Sequence, residues 1–122
     1  MAQSFDMEGL QVAYLAHLLP HYLDLETGEV IDVYPGDEEP QGDRYRRIPS
    51  RTDESEAEDR RLFVGTLKPS EVRDAMAAAV EDATAFRRAL SYDRTIEKAW
   101  YSFKNDRASQ AIGEWLGNLG VR

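Results

Sequence analysis

The clearest structural signal in the sequence is His21-Tyr-Leu-Asp-Leu-Glu-Thr-Gly-Glu-Val-Ile-Asp-Val-Tyr34. Two runs rich in β-forming residues surround a Thr-Gly pair, and this pattern predicts a β-hairpin. A two-residue turn would mix apolar and acidic side chains on each face. A three-residue loop over 26–28 pairs Leu23 with Ile31 and separates the two kinds, so we expect this loop, with Gly28 left-handed. The predicted apolar face comprises His21, Leu23, Leu25, Ile31 and Val33.

The segments on either side of the hairpin predict a helix, a loop and a third strand. Before the hairpin, apolar residues recur at helical spacing after a cap at Ser4 or Asp6 and stop at Pro20, which has no backbone N–H. After the hairpin, residues 35–42 contain only Pro, Gly, Asp, Glu and Gln, which predicts a mobile acidic loop. Residues 43–49 are then predicted as the third strand, ended by a proline.

Three more helices are predicted in the remainder of the chain. The first begins with the acidic run 53–59, which suits the positive end of a helix dipole. Pro69-Ser70 opens the second, whose apolar stripe continues without a break to Leu90. The third begins at Asp93 or Thr95. The sequence thus predicts an α+β fold, in which a small three-stranded antiparallel sheet packs with about four helices.

Composition limits the class of protein. The chain has 122 residues, 42% of them hydrophobic and 31% charged, which suits one core and a single domain over 1–122. It contains no cysteine, so disulfides, thiolate metal ligands and a cysteine nucleophile are excluded. We find no apolar run long enough to span a bilayer and no signal peptide. We therefore expect a cytoplasmic protein without a membrane partner.

The acidic charge of the chain is unevenly distributed. The net charge is −8, and residues 1–70 hold 15 acids and 7 bases, whereas residues 71–122 hold 8 of each. Proteins bind nucleic acid by neutralising phosphates with a basic surface. We therefore expect no DNA partner, and the composition also disfavours RNA. The neutral second part of the chain leaves room for a local basic face.

Five short motifs follow one another in an order typical of a known family. They are Tyr22-Leu-Asp-Leu-Glu-Thr-Gly-Glu-Val30, Arg47-Ile48-Pro49-Ser50, Ala85-Phe86-Arg87-Arg88, Trp100-Tyr101-Ser102-Phe103 and Glu114-Trp115-Leu116. Through them the chain resembles the bacterial uncharacterised protein family (UPF) zero-one-five-eight over nearly its whole length. It departs from that pattern at Ala89, where family members continue with another aromatic residue and a base. The resemblance implies a fold and a bacterial origin, and it implies no reaction.

The strongest candidate site combines basic and aromatic side chains on two helices that we expect to pair. The candidate ligand-binding residues are Arg87, Arg88, Trp100, Tyr101, Lys104 and Arg107. A guanidinium beside aromatic faces can hold an anion, a nucleotide base or an acidic peptide. The alternative is structural, with Trp100 and Phe103 in the core and the bases paired with acids. The acids expected in those pairs are Glu97, Asp106 and Glu114.

Three other clusters have both a functional and a structural interpretation. The hairpin carboxylates Asp24, Glu26, Glu29 and Asp32 have the oxygen ligands that a divalent ion needs, or they form a solvated sheet face. His17 and His21 have a metal-binding spacing only if a helix continued through Pro20, so we assign no metal there. The basic stripe Arg44, Arg46, Arg47 and Arg51 can pair with the acidic loop at 37–39 or with a partner.

The sequence contains no phosphate-binding or hydrolase motif, so we assign no catalytic residue and no cofactor. The leading hypothesis is a non-catalytic binding or regulatory module for a protein, a peptide or an anionic small molecule. One alternative is a small divalent-metal-dependent hydrolase that uses Asp24 and Asp32. Another is an RNA-binding accessory protein that stacks bases on Trp100 and Tyr101. The oligomeric state is left open.

Overall fold

Five helices and three strands are present in a computed structural model of the chain, which describes residues 4–16 and 18–120. The elements are α1 (Met7–Leu15), β1 (His21–Asp24), β2 (Val30–Asp32), β3 (Tyr45–Arg47), α2 (Asp53–Gly65), α3 (Glu71–Ala78), α4 (Ala83–Leu90) and α5 (Arg94–Leu119). The strands form an antiparallel sheet in the order β2-β1-β3, which confirms the α+β prediction. The interpretation of His17 lies outside the described residues.

The hairpin register differs by one residue from the predicted one. Leu23 pairs with Val30 instead of Ile31, and the connection between the strands spans 25–29. The cause is the Asp24 carboxylate, whose Oδ1 accepts hydrogen bonds from the backbone N–H groups of Glu26 and Thr27 at 2.9 and 3.3 Å. This side-chain turn lengthens the loop, so Ile31 moves to the opposite face of the sheet.

Gly28 has the left-handed backbone that the hairpin motif predicts. Its φ is +80°, a conformation that side chains with a Cβ rarely adopt. A Cβ at this position would also collide with the backbone oxygen of Ser4. The N–H of Asp6 donates to the Gly28 carbonyl at 3.0 Å, so the turn is tied to the start of α1. Any other residue would disturb this contact.

The predicted continuous helix after Pro69 is two helices. It is interrupted between Ala78 and Ala83, where the Oδ1 of Asp82 accepts from the N–H groups of Thr84 and Ala85 at 3.1 Å each. An aspartate that bonds to the backbone ahead of it begins a helix rather than continuing one. The periodicity of the apolar residues is unchanged by this break, which is why the sequence pattern missed it.

The first helix is shorter than predicted, and the acidic loop has no regular structure. α1 ends at Leu15, before Pro20, and Leu18 is 91% exposed. Residues 35–42 form neither helix nor strand and are almost wholly exposed. The mobility of this loop stays a prediction.

Two compact units divide the chain. The sheet unit comprises Met1–Arg51 and Ala108–Arg122, and the helical unit comprises Thr52–Arg107. The buried core of the sheet unit consists of Leu10, Ala13, Leu23, Ile48, Ile112 and Leu116. The buried core of the helical unit consists of Phe63, Val64, Met76, Ala79, Phe86, Ala89, Leu90 and Trp100. The candidate site residues all lie in the helical unit.

Candidate functional site

Trp100 belongs to the core of the helical unit. Only 7% of it is exposed, and its ring centroid lies 5.3 Å from that of Phe63, 5.1 Å from Phe86 and 6.1 Å from Phe103. Aromatic pairs at these distances add to the stability that burial of the rings supplies. Trp100 and Phe103 therefore take the positions that the structural alternative predicts. Trp100 has little ring surface left for a ligand or a base.

Lys104 lies beside the aromatic residues that precede it on α5. Its Nζ is 5.9 Å from the ring centroid of Trp100 and 5.6 Å from that of Tyr101. These are cation–π contacts, which favour a cation over the electron-rich ring face. Tyr101 is 48% exposed, so a partner has access to its ring and hydroxyl from solvent. The structure thus brings Trp100, Tyr101 and Lys104 together.

Arg107 forms an ion pair within the helical unit. Its Nε donates to Oδ1 of Asp59 at 2.9 Å, and the Asp59 side chain is only 7% exposed. The sequence led us to expect pairing with acids close to the basic residues, such as Asp106, but Asp59 is 48 residues earlier in the chain. No local pattern predicts such a pair. Arg107 therefore stabilises α2 against α5.

Arg87 and Arg88 occupy the last turn of α4 and are exposed. Within residues 4–16 and 18–120, neither side chain makes an ion pair, a hydrogen bond or a cation–π contact, so neither meets Trp100 or Tyr101 in that way. A cation near a helix C-terminus interacts favourably with the helix dipole. The two guanidinium groups are otherwise available to an external acceptor.

The helices that hold these residues form a locally basic segment. Residues 83–107, called the α4–α5 segment below, contain six basic and three acidic side chains, a net charge of +3 in a chain of −8. An exposed aromatic residue that the sequence analysis missed, Tyr92, lies in the turn between the two helices and is 79% exposed. The sequence could have identified Tyr92 as exposed, because it lies in a turn between Ser91 and Asp93, the residue that caps α5.

The hairpin carboxylate Asp24 is held by Arg44. The Nε and Nη2 of Arg44 donate to its two oxygens at 2.8 and 2.7 Å, and Nη1 of Arg44 lies 3.2 Å from Oε2 of Glu26. The hydrogen bonds from Arg44 hold the pKa of Asp24 well below its usual range. The same contact raises the pKa of Arg44. Asp24 therefore has a structural role as a hydrogen-bond acceptor.

The corrected register also separates Asp24 from Asp32. Because Asp32 pairs with His21, it lies on the face opposite Asp24, and its Oδ1 is 2.7 Å from Nδ1 of His21. The Nε2 of His21 lies 3.1 Å from the carbonyl oxygen of Ala16. In the part of the chain that the structure describes, no three His, Asp or Glu side chains are grouped as metal ligands. The geometry on which the hydrolase hypothesis depends is therefore not present between these two carboxylates.

Arg47 of the basic stripe contacts the acidic loop. Nη1 of Arg47 lies 3.9 Å from Oε1 of Glu39, a loose exposed pair. Arg46 donates instead to the backbone oxygen of Asp43 at 2.7 Å. Arg44 is engaged with the hairpin. Pairing with the loop therefore accounts for Arg47 but not for Arg44 or Arg46.

Comparison with known proteins found no matching family model, no similar curated protein and no similar solved structure. The resemblance carried by the five motifs therefore stays a prediction. Among the described residues, no helix is both long enough and apolar enough to cross a membrane. Function has to be argued from the chemistry of the sites.

Proposed function

We propose that this protein is a non-catalytic binding module that recognises an acidic peptide segment of a partner protein through the α4–α5 segment. The observation that carries the proposal is the exposure of Arg87 and Arg88 with no ion pair in the described ranges. By contrast, each of several other arginines has a carboxylate partner. They are Arg44, Arg47, Arg61 and Arg107.

The chemistry of the segment fits a carboxylate-rich polypeptide. Arginine presents a planar fork of donors that matches the two oxygens of a carboxylate. Tyr92 and Tyr101 add exposed rings and hydroxyls, which suit contact with a peptide backbone. The exposed side chains lie on helix surfaces rather than in an enclosing pocket, which favours a polypeptide over a small molecule.

The proposal includes a bacterial cytoplasmic setting. The absence of cysteine is compatible with a reducing compartment. The five-motif resemblance supports the bacterial origin. The net charge of −8 disfavours nucleic acid, because a run of phosphates needs an extended basic surface, whereas a short acidic segment needs only the basic α4–α5 segment.

The test is the anisotropy of a fluorescein-labelled oligoglutamate peptide titrated with the protein. We expect the double variant Arg87→Ala/Arg88→Ala to weaken binding about tenfold, because two exposed charged contacts together contribute about 1.4 kcal/mol. The matched control Arg47→Ala/Lys68→Ala removes two charges outside the segment and should bind as the wild type does. Equal weakening by both double variants would mean that net charge alone attracts the peptide, and would overturn the proposal.

A further inference from the structure

The connection between β2 and β3 contains an exposed acidic loop, residues 35–42. Its charged side chains are the three carboxylates at positions 37–39, and it contains no base. A turn holds the start of this loop. The N–H of Asp37 donates to the carbonyl oxygen of Tyr34 at 2.9 Å, and Oδ2 of Asp37 accepts from the N–H of Tyr34 at 3.1 Å. The chain therefore carries a short acidic segment of its own, which the turn orders in part before any partner binds.

The two glutamates that follow this turn make few contacts within the chain. Glu38 is exposed, and in the ranges that the structure describes its side chain has no ion pair and no hydrogen bond. The carboxylate of Glu39 makes only the contact of 3.9 Å with Arg47. An exposed ion pair at that distance contributes little to stability. Both carboxylates can therefore bind a basic surface of another molecule at little cost to the fold.

Two further bases of the α4–α5 segment are exposed on α5. Arg94 and Lys98 are four residues apart and Tyr101 follows three residues later, so the three side chains lie on one face of the helix. Among the described residues, neither base has an ion-pair or hydrogen-bond partner for its side chain. Together with Arg87 and Arg88, the segment thus presents four exposed bases that no carboxylate in these ranges pairs with.

We propose that the α4–α5 segment of one copy of this chain binds the acidic loop 35–42 of a second copy, so that the protein associates with itself. This assignment names the partner and rests on the proposed function. Charge complementarity supports it, because the segment has a net charge of +3 and the loop a net charge of −3. Salt at physiological strength screens charges more than about 8 Å apart. The net charge of −8 on each copy therefore opposes this local contact only weakly.

The other acidic run of the chain, residues 53–59, fits this role less well. It belongs to a helix, its Asp59 side chain is buried against Arg107, and Arg60 and Arg61 follow it directly. The loop 35–42 contains no base and forms neither helix nor strand. It therefore has the character of the acidic peptide that the α4–α5 segment is proposed to recognise.

Sedimentation velocity of the full chain tests this assignment. Because the contact is small and polar, we expect a weak dimer at low salt, with a dissociation constant of about 0.1 mM. Sodium chloride at about 0.5 M should dissociate it, and so should oligoglutamate, which competes with the loop for the same surface. A single species of 13.9 kDa at about 1 mM protein and low salt would overturn the proposal. If that monomer still binds oligoglutamate through Arg87 and Arg88, the proposed function stands and only the self-association fails.

Two charge-reversed variants identify the surfaces in contact. Glu38→Lys/Glu39→Lys and Arg87→Glu/Arg88→Glu should each abolish the dimer, because each gives the loop and the segment charges of the same sign. All four side chains are exposed, so both variants should fold. An equimolar mixture of the two should recover the dimer, since each variant then meets opposite charges on the other. A mixture that stays monomeric would overturn the proposal.

A control on α2 separates the effect of the loop from that of net charge. Glu54→Lys/Glu58→Lys also reverses two exposed carboxylates, and it changes the net charge as much as the loop variant does. It should dimerise as the wild type does, because neither residue belongs to the loop. Equal loss of the dimer in this control and in the loop variant would assign the association to net charge and contradict the proposed contact.

Discussion

Arg44 donates two hydrogen bonds, of 2.8 and 2.7 Å, to the Asp24 carboxylate. These bonds join the last residue of β1 to the residue that precedes β3. The same carboxylate accepts the backbone N–H groups of Glu26 and Thr27. One side chain therefore sets both the hairpin loop and the entry into the third strand. The role of the Asp24 side chain is structural, and its loss should destabilise the whole sheet.

Asp24→Asn should lower the melting temperature by several degrees. The amide keeps the shape of the carboxylate but offers one acceptor instead of two and no charge, so Arg44 loses its bidentate partner. Thermal unfolding followed by circular dichroism at pH 7 measures the change. The control is Asp43→Asn, which changes the exposed carboxylate next to Arg44 in the sequence. This variant should unfold at the same temperature as the wild type. Indistinguishable curves for the two variants would show that the Asp24 charge does not stabilise the sheet.

The pH dependence of stability should carry the signature of Asp24. Its pKa is lowered from an ordinary value of 3.8 by the hydrogen bonds from Arg44, so the unfolded chain binds this proton more readily than the folded one. The stabilisation is present above about pH 4 and is lost as the pH falls towards the folded-state pKa. Urea unfolding between pH 7 and pH 2.5 should therefore show a steeper loss for the wild type than for Asp24→Asn. Parallel profiles would contradict this assignment.

The Asp59–Arg107 pair should contribute more to stability than an ordinary surface pair. Asp59→Ala should cost about 2 kcal/mol, less than a fully buried pair because the Arg107 side chain is 37% exposed and water screens it. Glu58→Ala changes the exposed neighbour and should stay within about 0.5 kcal/mol of the wild type. A double-mutant cycle with Arg107→Ala, measured by urea unfolding, isolates the coupling. A coupling of zero would assign the loss to other contacts of Asp59.

Alanine substitutions at Trp100 and Tyr101 should distinguish a residue that stabilises the fold from one that binds the peptide. Trp100→Ala should cost about 3–5 kcal/mol, because it removes a ring packed against Phe63, Phe86 and Phe103. Tyr101→Ala should cost under about 1 kcal/mol and should weaken binding of the oligoglutamate peptide. Urea unfolding and peptide anisotropy on the same preparations measure both effects. Normal peptide binding by Tyr101→Ala would remove this residue from the proposed surface.

The sequence predicted the features that depend on local chemistry. The sheet, the left-handed Gly28 and the Asp93 cap follow from turn and capping preferences, and each is present. The hairpin register could not be predicted, because it depends on an Asp24 side chain that competes with the expected loop. The partner of Arg107 could not be predicted either, since Asp59 is brought near only by the packing of α2. For the candidate residues, the sequence left open whether Trp100 faces a ligand or the core, because that depends on how the helices pack.

The break between α3 and α4 depends on Asp82, and this dependence can be measured. Asp82→Ala removes the acceptor for two N–H groups at the start of α4 and should cost about 1 kcal/mol, or about 4 °C in melting temperature. Asp82→Asn removes the same charge but keeps a capping oxygen, so it should unfold close to the wild type. A partly frayed α4 would also present Arg87 and Arg88 less regularly, and Asp82→Ala should therefore weaken peptide binding more than Asp82→Asn does. If both variants lose equal stability, the charge of Asp82 rather than its cap is what begins the helix.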